Sequence, residues 1–75
     1  MSTPQYAVVL VHATSHAMRV EKLLRDKGIP SKMIPVPRHI SSDCGACVRI
    51  LHQDTDAVRR VVDAAGVEVE DIQAI

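Results

Sequence analysis

This chain has 75 residues, with nine basic and nine acidic side chains, no Trp, no Phe and one Tyr. Its length suits one domain over residues 1–75, and its zero net charge argues against a nucleic-acid binder, which needs a basic excess to displace counterions. No apolar run reaches the ~20 residues of a membrane span, and the N-terminus lacks the basic and apolar regions of a signal peptide. We therefore expect a cytoplasmic protein with neither nucleic acid nor membrane as partner.

The core is expected to be small. A chain of this length buries only about 60% of its unfolded surface, and without Trp or Phe it must pack Val, Ile, Leu, Ala and Met. A homodimer is a reasonable expectation, because association would add buried surface. In a cytoplasmic setting, the two cysteines are expected to be reactive or ligating thiols rather than a structural disulfide.

The chain begins with a predicted strand and helix. Residues 6–11 form an apolar, β-branched run that is typical of a buried central strand. Thr14 or Ser15 is expected to cap a helix over residues 16–27 by accepting a bond from its free N–H groups. Gly28 is expected to end that helix in a left-handed conformation.

Two further strands are predicted in the middle of the chain. The first covers residues 29–36 and is expected at a sheet edge, because Pro30 and Pro35 cannot donate to a strand ladder. The second covers residues 47–52, in which alternation places Val48, Ile50 and His52 on one face.

The last part of the chain predicts a helix and a strand. Polar residues 53–55 can cap the helix, and Gly66 closes it. Residues 67–72 alternate and predict the last strand. The apolar face of the helix consists of Ala57, Val58, Val61, Val62 and Ala65.

The predicted order is β-α-β-β-α-β. It favours an α+β fold of the ferredoxin-like split βαβ type, with one antiparallel sheet and two helices on one of its faces. Right-handed crossovers place the ends of the first two strands at the same end of the sheet. The loops over residues 12–16 and 37–46 should then lie side by side. We therefore expect Ser15, His16 and the N-terminus of the first helix to lie near Cys44.

Cys44 and Cys47 have CxxC spacing, which admits three kinds of chemistry. The pair could chelate a soft metal, form a small disulfide or present one nucleophilic thiolate. A lone CxxC lacks the second ligand pair of a zinc site, so we expect no metal, and Cys44 with Cys47 would be its ligands in the alternative. Cys47 could also be a small apolar strand residue.

Several neighbours favour Cys44 as the reactive thiol. Positive charge from Arg38, His39 and Arg49 would favour the thiolate, as would the N-terminus of the first helix. Gly45 would let the backbone bend and leave room for an incoming partner. The sequence has no paired carboxylates, phosphate-binding glycine loop or nucleophile elbow, so a carrier or binding protein is favoured over an enzyme.

Two segments of the chain carry a family resemblance. Residues 15–21 are Ser-His-Ala-Met-Arg-Val-Glu, and residues 35–45 are Pro-Val-Pro-Arg-His-Ile-Ser-Ser-Asp-Cys-Gly. Together they resemble a family of small bacterial domains described as selenium/sulfur carrier-like proteins, and the second segment is the more specific of the two. The resemblance covers almost the whole chain. It departs at Cys47, where family members usually carry a small or apolar residue.

The resemblance implies a carrier that holds sulfur or selenium on Cys44 as a persulfide or perselenide, with no bound cofactor. It also implies a donor enzyme of the cysteine desulfurase type and an acceptor protein that docks with an exposed loop. The departure at Cys47 opens two alternatives: a resolving thiol that releases sulfide and leaves a disulfide, or the second ligand of a metal clasp. Either would weaken the interpretation as a simple one-thiol carrier. The positions that match the motif around the carrier thiol are Arg38, Ser41, Ser42, Gly45 and Arg49.

Two other hypotheses stay open. A soft-metal-binding or thiol-redox module would use both cysteines, although soft-metal chaperones of this size place their CxxC after the first strand. A small ligand-binding or interaction domain would carry the cysteines incidentally, since the ferredoxin-like scaffold hosts many functions.

Overall fold

The computed structural model describes residues 5–40 and 44–75. Within these residues, helices and strands follow one another in the predicted order β-α-β-β-α-β, with a short 3-10 helix before the second α-helix. The elements are β1 (Tyr6–Leu10), α1 (Thr14–Asp26), β2 (Ser31–Pro35), β3 (Ala46–Leu51), the 3-10 helix (His52–Asp54), α2 (Thr55–Ala65) and β4 (Asp71–Ala74). None of these helices is long and apolar enough to cross a membrane.

The strands form one sheet in the order β2-β3-β1-β4, and all neighbouring strands are antiparallel. This order confirms the ferredoxin-like split βαβ fold and the edge position of β2. Cys47 of β3 is paired with Leu10 of β1 and with Ile34 of β2, and Leu10 is also paired with Asp71 of β4. The ends of β1 and β2 therefore lie at the same end of the sheet as the starts of β3 and β4.

Apolar side chains pack on both faces of the sheet. One set, the helix-facing cluster, lies between the sheet and the two helices and contains Ala7, Val9, Val11, Ala17, Val20, Leu24, Cys44, Val48, Ile50, Val58, Val62 and Val67. The other set, the loop-covered cluster, lies on the opposite face of the sheet and contains Val8, Leu10, Ile40 and Cys47, with Ile34 and Val36 packed against it. Consecutive residues of a strand point to opposite faces, so β1 and β3 supply both clusters.

The start of α1 differs from the prediction. Its N-cap is Ala13, which is extended (φ −149°, ψ 152°) and makes no side-chain capping bond. Thr14 is already helical, so neither Thr14 nor Ser15 is the cap. The helix ends as predicted, because Gly28 follows it with a φ of +73°.

The segments on either side of α2 also differ from the prediction. His52 does not continue the face of β3, because it is exposed and belongs to the 3-10 helix. The N-cap of α2 makes no side-chain capping bond, and Thr55 instead donates its hydroxyl proton to the His52 carbonyl at 2.7 Å. Within the predicted apolar face of α2, Val58 and Val62 are buried, whereas Ala57 is exposed.

The last strand begins later than residue 67. Gly66 has a φ of +69°, which reverses the chain at the end of α2 as predicted. The Val67 N–H then donates to the Val62 carbonyl at 3.1 Å, and the Val67 side chain enters the helix-facing cluster. Alternation over residues 67–70 therefore reflects packing of a connecting segment, and β4 covers only Asp71–Ala74.

Candidate functional site

Cys44 lies directly before β3, and its side chain packs in the helix-facing cluster with 6% of its surface exposed. Its Sγ is 3.6 Å from Thr14 Oγ1, where either atom could be the donor, and it accepts a bond from the Ala46 N–H at 3.5 Å. These contacts hold the sulfur between the first turn of α1 and the start of β3. They confirm that the loop after β1 and the loop before β3 lie side by side, although the thiol is more buried than the exposed loop thiol that we expected.

The first turn of α1 brings polar groups to the same end of the sheet. No side chain caps this turn, and a helix N-terminus carries partial positive charge on its free N–H groups. Ser15 is exposed and His16 is half-buried. The His16 Nδ1 is buried and has no hydrogen-bond partner in the described part of the chain. Within this turn, the Thr14 hydroxyl contacts the Cys44 sulfur.

Cys47 occupies a different environment. It lies within β3, has none of its surface exposed and packs in the loop-covered cluster on the far side of the sheet from the helices. Its thiol points to the Pro35 carbonyl oxygen at 4.0 Å. Burial raises the pKa of the Cys47 thiol, and the charge of Cys44 raises it further. Cys47 therefore resembles a small apolar core residue more than a nucleophile.

The sheet separates the two thiols of the CxxC sequence. Cys44 belongs to the helix-facing cluster and Cys47 to the loop-covered cluster, and neither cysteine forms a disulfide. Within residues 5–40 and 44–75, no group of three or more His, Cys, Asp or Glu side chains is placed to hold a metal ion. A structural zinc site needs four ligands, so these residues by themselves do not supply one.

The basic residues that were expected around Cys44 lie elsewhere or make no contact with it. Arg49 faces away from the helices, and its guanidinium carbon lies 4.2 Å from the centre of the Tyr6 ring. Its strand partner Val8 belongs to the loop-covered cluster, so the expectation of Arg49 beside Cys44 is wrong. Alternation along β3 explains this, because Cys47 and Arg49 share one face of the strand.

The expected neighbours of Cys44 in the loop before β3 are exposed where the structure describes them. Arg38 and His39 are exposed, and neither makes a hydrogen bond, ion pair or ring contact with another described residue. Gly45 is exposed, its φ is not positive, and a Cβ added there would meet no atom within 4 Å. The bend at this position does not require glycine, but the space beside it is open. Ser41 and Ser42 lie outside the described residues.

The chain was compared with models of known protein families. A family model described as "Putative Se/S carrier protein-like" matches residues 6–73. The chain belongs to this family. The match spans β1 to β4 and includes both cysteines. No curated protein and no solved structure matches the chain.

Two residues of this Se/S carrier-like domain have contacts that sequence reasoning missed. Thr14 was interpreted as a helix cap, and its contact with Cys44 follows only from the side-by-side loops. Glu21 was interpreted as part of a family segment. Its Oε2 accepts a bond from the Met33 N–H of β2 at 3.2 Å, and this is the contact that was missed. The pairing of its Oε1 with Arg25 at 2.9 Å is the i,i+4 ion pair that helical spacing predicts. Glu21 is half-buried and faces the edge strand β2. The sequence alone does not reveal this position.

Proposed function

We propose that this Se/S carrier-like domain holds sulfur or selenium on Cys44, as a persulfide or perselenide, and passes it to an acceptor protein. The observation that supports this most directly is the unequal position of the two thiols. Cys44 keeps 6% of its surface exposed at the end of the sheet, whereas Cys47 has none. A donor protein can therefore approach Cys44 without separating the packed layers, and it cannot approach Cys47 in this way.

Loading is a group transfer without net oxidation. The Cys44 thiolate attacks the outer sulfur of a persulfide carried by a donor of the cysteine desulfurase type. A bond forms between Cys44 Sγ and that sulfur. The sulfur–sulfur bond of the donor breaks, and the donor cysteine leaves as a thiolate with the bonding electron pair. With selenium, the same exchange transfers one selenium atom and leaves a perselenide on Cys44.

Delivery repeats the exchange in the opposite direction. An acceptor thiolate attacks the outer sulfur or selenium atom, and Cys44 Sγ leaves as a thiolate with the bonding pair. The leaving sulfur stays beside Thr14 Oγ1 and the Ala46 N–H, both of which can donate to a thiolate. The positive end of α1 also favours negative charge at this position. These groups support both the attacking and the leaving role of Cys44.

The position of Cys47 supports retention of the carried atom. A resolving thiol would have to attack Cys44 Sγ from the same side of the sheet, as a thiolate. Cys47 packs on the opposite face and its pKa is raised by burial. We therefore propose that Cys47 fills the loop-covered cluster and does not release the sulfur as sulfide.

Intact mass measured without reductant tests the proposal. The protein is incubated with a cysteine desulfurase and either cysteine or selenocysteine. The wild type and Cys47→Ala are expected to gain the mass of one sulfur or one selenium atom, and Cys44→Ser is expected to gain none. No gain on the wild type, or an undiminished gain on Cys44→Ser, would overturn the proposal.

A second arm tests the contact with Thr14. Thr14→Val keeps the shape of the side chain but removes the hydroxyl, so loading should slow about five-fold, as expected for the loss of ~1 kcal/mol from one hydrogen bond. Thr55→Val removes a hydroxyl that bonds the His52 carbonyl far from Cys44, and it should load at the wild-type rate. Equal loading rates for Thr14→Val and Thr55→Val would remove Thr14 from the site.

A further inference from the structure

A second charged surface lies on the face of the sheet opposite the helices. Lys32 of β2 and Arg49 of β3 are direct strand partners. Both belong to the face of the loop-covered cluster, because Ile34 and Cys47, two residues along the same strands, pack in it. Tyr6 of β1 lies beside them, with its ring under the Arg49 guanidinium. We call Tyr6, Lys32 and Arg49 the cationic sheet surface.

The two cations of this surface have no anionic partner in the part of the chain that the structure describes. Like charges placed directly opposite each other on neighbouring strands destabilise a sheet. Among residues 5–40 and 44–75, neither the Lys32 nor the Arg49 side chain makes a hydrogen bond or ion pair. The repulsion between them is therefore left uncompensated in the isolated domain, and an anion bound between them would relieve it.

The Arg49 side chain is held ready for such an anion. A guanidinium stacked on an aromatic ring within about 6 Å of its centre is attracted by the ring and loses mobility. The 4.2 Å stack on Tyr6 occupies one face of the guanidinium. The N–H groups at its rim stay available, and they match the two oxygens of a carboxylate.

The surroundings of the surface suit a protein partner better than a small molecule. A shallow groove of about 270 Å³ runs along it, and its lining includes Pro30, Ser31 and Leu51 besides the three named residues. Pockets that enclose small ligands usually have ~300–1,000 Å³ and surround most of the ligand. Stacked Tyr and Arg beside a partly buried Leu are typical of contact points between proteins.

We propose that the cationic sheet surface docks an acidic segment of a partner protein, with Asp or Glu carboxylates bound by Lys32 and Arg49. Charge complementarity is the basis of the proposal, because no described carboxylate pairs with these two adjacent cations. The surface lies across the sheet from Cys44, so a protein bound there does not cover the side of the sheet on which the thiol lies. The proposal does not depend on what Cys44 carries.

An NMR titration at low salt tests the proposal with a capped oligoglutamate peptide. Saturable shifts are expected at the backbone amides of Tyr6, Lys32 and Arg49, whereas a capped oligoglutamine peptide of equal length should cause none. In the double variant Lys32→Gln, Arg49→Gln, the dissociation constant for oligoglutamate should rise about ten-fold, as expected for two partly exposed charge pairs.

A matched control separates docking from general attraction between charges. Lys22→Gln with Arg59→Gln removes the same charge from exposed positions on α1 and α2, and it should change the dissociation constant less than about two-fold. Equal weakening by both double variants would overturn the proposal, as would the absence of saturable shifts. Inorganic phosphate that shifts the same amides as strongly as oligoglutamate would also overturn it, by assigning the surface to small anions.

Discussion

Cys44 and Cys47 are close in sequence but differ in chemical environment. Cys44 contacts the Thr14 hydroxyl in the first turn of α1 and the Ala46 N–H at the start of β3. Cys47 has the Pro35 carbonyl oxygen beside its thiol at 4.0 Å and apolar neighbours around it. A carbonyl can accept the proton of a thiol but offers nothing to a thiolate. The surroundings of Cys47 therefore favour its protonated form, and burial raises the pKa of this thiol.

The raised pKa of Cys47 predicts a loss of stability at alkaline pH. Burial keeps this thiol protonated in the folded state, whereas the unfolded thiol ionises near its ordinary pKa of about 8.5. Between these two pKa values the unfolded state binds fewer protons, so the free energy of unfolding falls as pH rises. Urea unfolding between about pH 7 and pH 10 should show this fall, with a slope of at most ~1.4 kcal/mol per pH unit from this group.

The variant Cys47→Ala supplies the reference for that measurement. It lacks the titrating group, so the stability advantage of the wild type over Cys47→Ala should shrink as pH rises above about 8.5. An advantage that stays constant or grows over this interval would show that Cys47 ionises as readily in the folded state as in the unfolded chain.

On each edge strand of the sheet, one backbone N–H group donates a hydrogen bond to a carboxylate. On β2, the Met33 N–H donates to Glu21 of α1 at 3.2 Å. On β4, the Ile72 N–H donates to the side chain of Asp71 at 2.8 Å. Edge strands with free N–H groups invite pairing with another chain. These contacts disfavour a homodimer built by strand pairing, and dimerisation through another surface stays a prediction.

Glu21 joins an element of the helix layer to an edge of the sheet, and its removal should lower stability. Glu21→Ala leaves the part-buried Met33 N–H without its acceptor, so the free energy of unfolding should fall by about 1–3 kcal/mol. Glu21→Gln keeps an oxygen that can accept this bond and should lose less. Urea unfolding measures both.

An exposed neighbour on the same helix is the control for Glu21. Lys22→Ala should change the free energy of unfolding by no more than about 0.5 kcal/mol. If Glu21→Ala and Lys22→Ala proved equally stable, the link between α1 and β2 would contribute nothing to the fold.

At the scale of the whole molecule, the domain is compact but has little stability to spare. Its Cα radius of gyration is 11.3 Å, which agrees with the ~11 Å typical of a folded domain of this length. A chain of this size has an unfolding free energy of about 4–11 kcal/mol. Its core contains no aromatic ring, so it depends on many aliphatic contacts of similar size.

Truncation of a central core residue should therefore come close to unfolding the domain. Leu24 of α1 is fully buried in the helix-facing cluster, and Leu24→Ala should cost about 2–5 kcal/mol. Thermal unfolding followed by circular dichroism measures the loss. Met18→Ala on the same helix removes a side chain that is 61% exposed and should leave the melting temperature nearly unchanged. Similar melting temperatures for the two variants would contradict the assigned core.

Much of the fold could be predicted, because local sequence patterns indicated where the strands lie and where the helices end. Alternation and β-branched residues located β1 and β3, and the prolines that flank or end β2 indicated an edge strand. Gly28 and Gly66 marked the ends of both helices, where φ is positive. The failures occurred where packing overrode a local pattern. Val67 alternates like a strand residue but is drawn into the helix-facing cluster at the end of α2.

The site was predictable only in part. Cys44 and its place beside the first turn of α1 followed from the strand order, and family membership agrees with the segment over residues 35–45. Neither the strand order nor the family segment predicted two of the contacts. These are the contact of Thr14 with Cys44 and the stacking of Arg49 on Tyr6. Both are contacts between side chains far apart in sequence, and no local propensity encodes them.

By itself, the sequence determined the order of elements, the edge position of β2 and the importance of the loop before β3. These properties depend on periodicity, on proline and glycine stereochemistry and on a specific motif. Only the tertiary structure decided what the CxxC pair is. Cys44 lies before β3 and packs on the helix side of the sheet, whereas Cys47 lies within β3 and packs on the opposite face beneath the covering loop. The CxxC spacing is equally compatible with two neighbouring thiols, so it cannot show that separation.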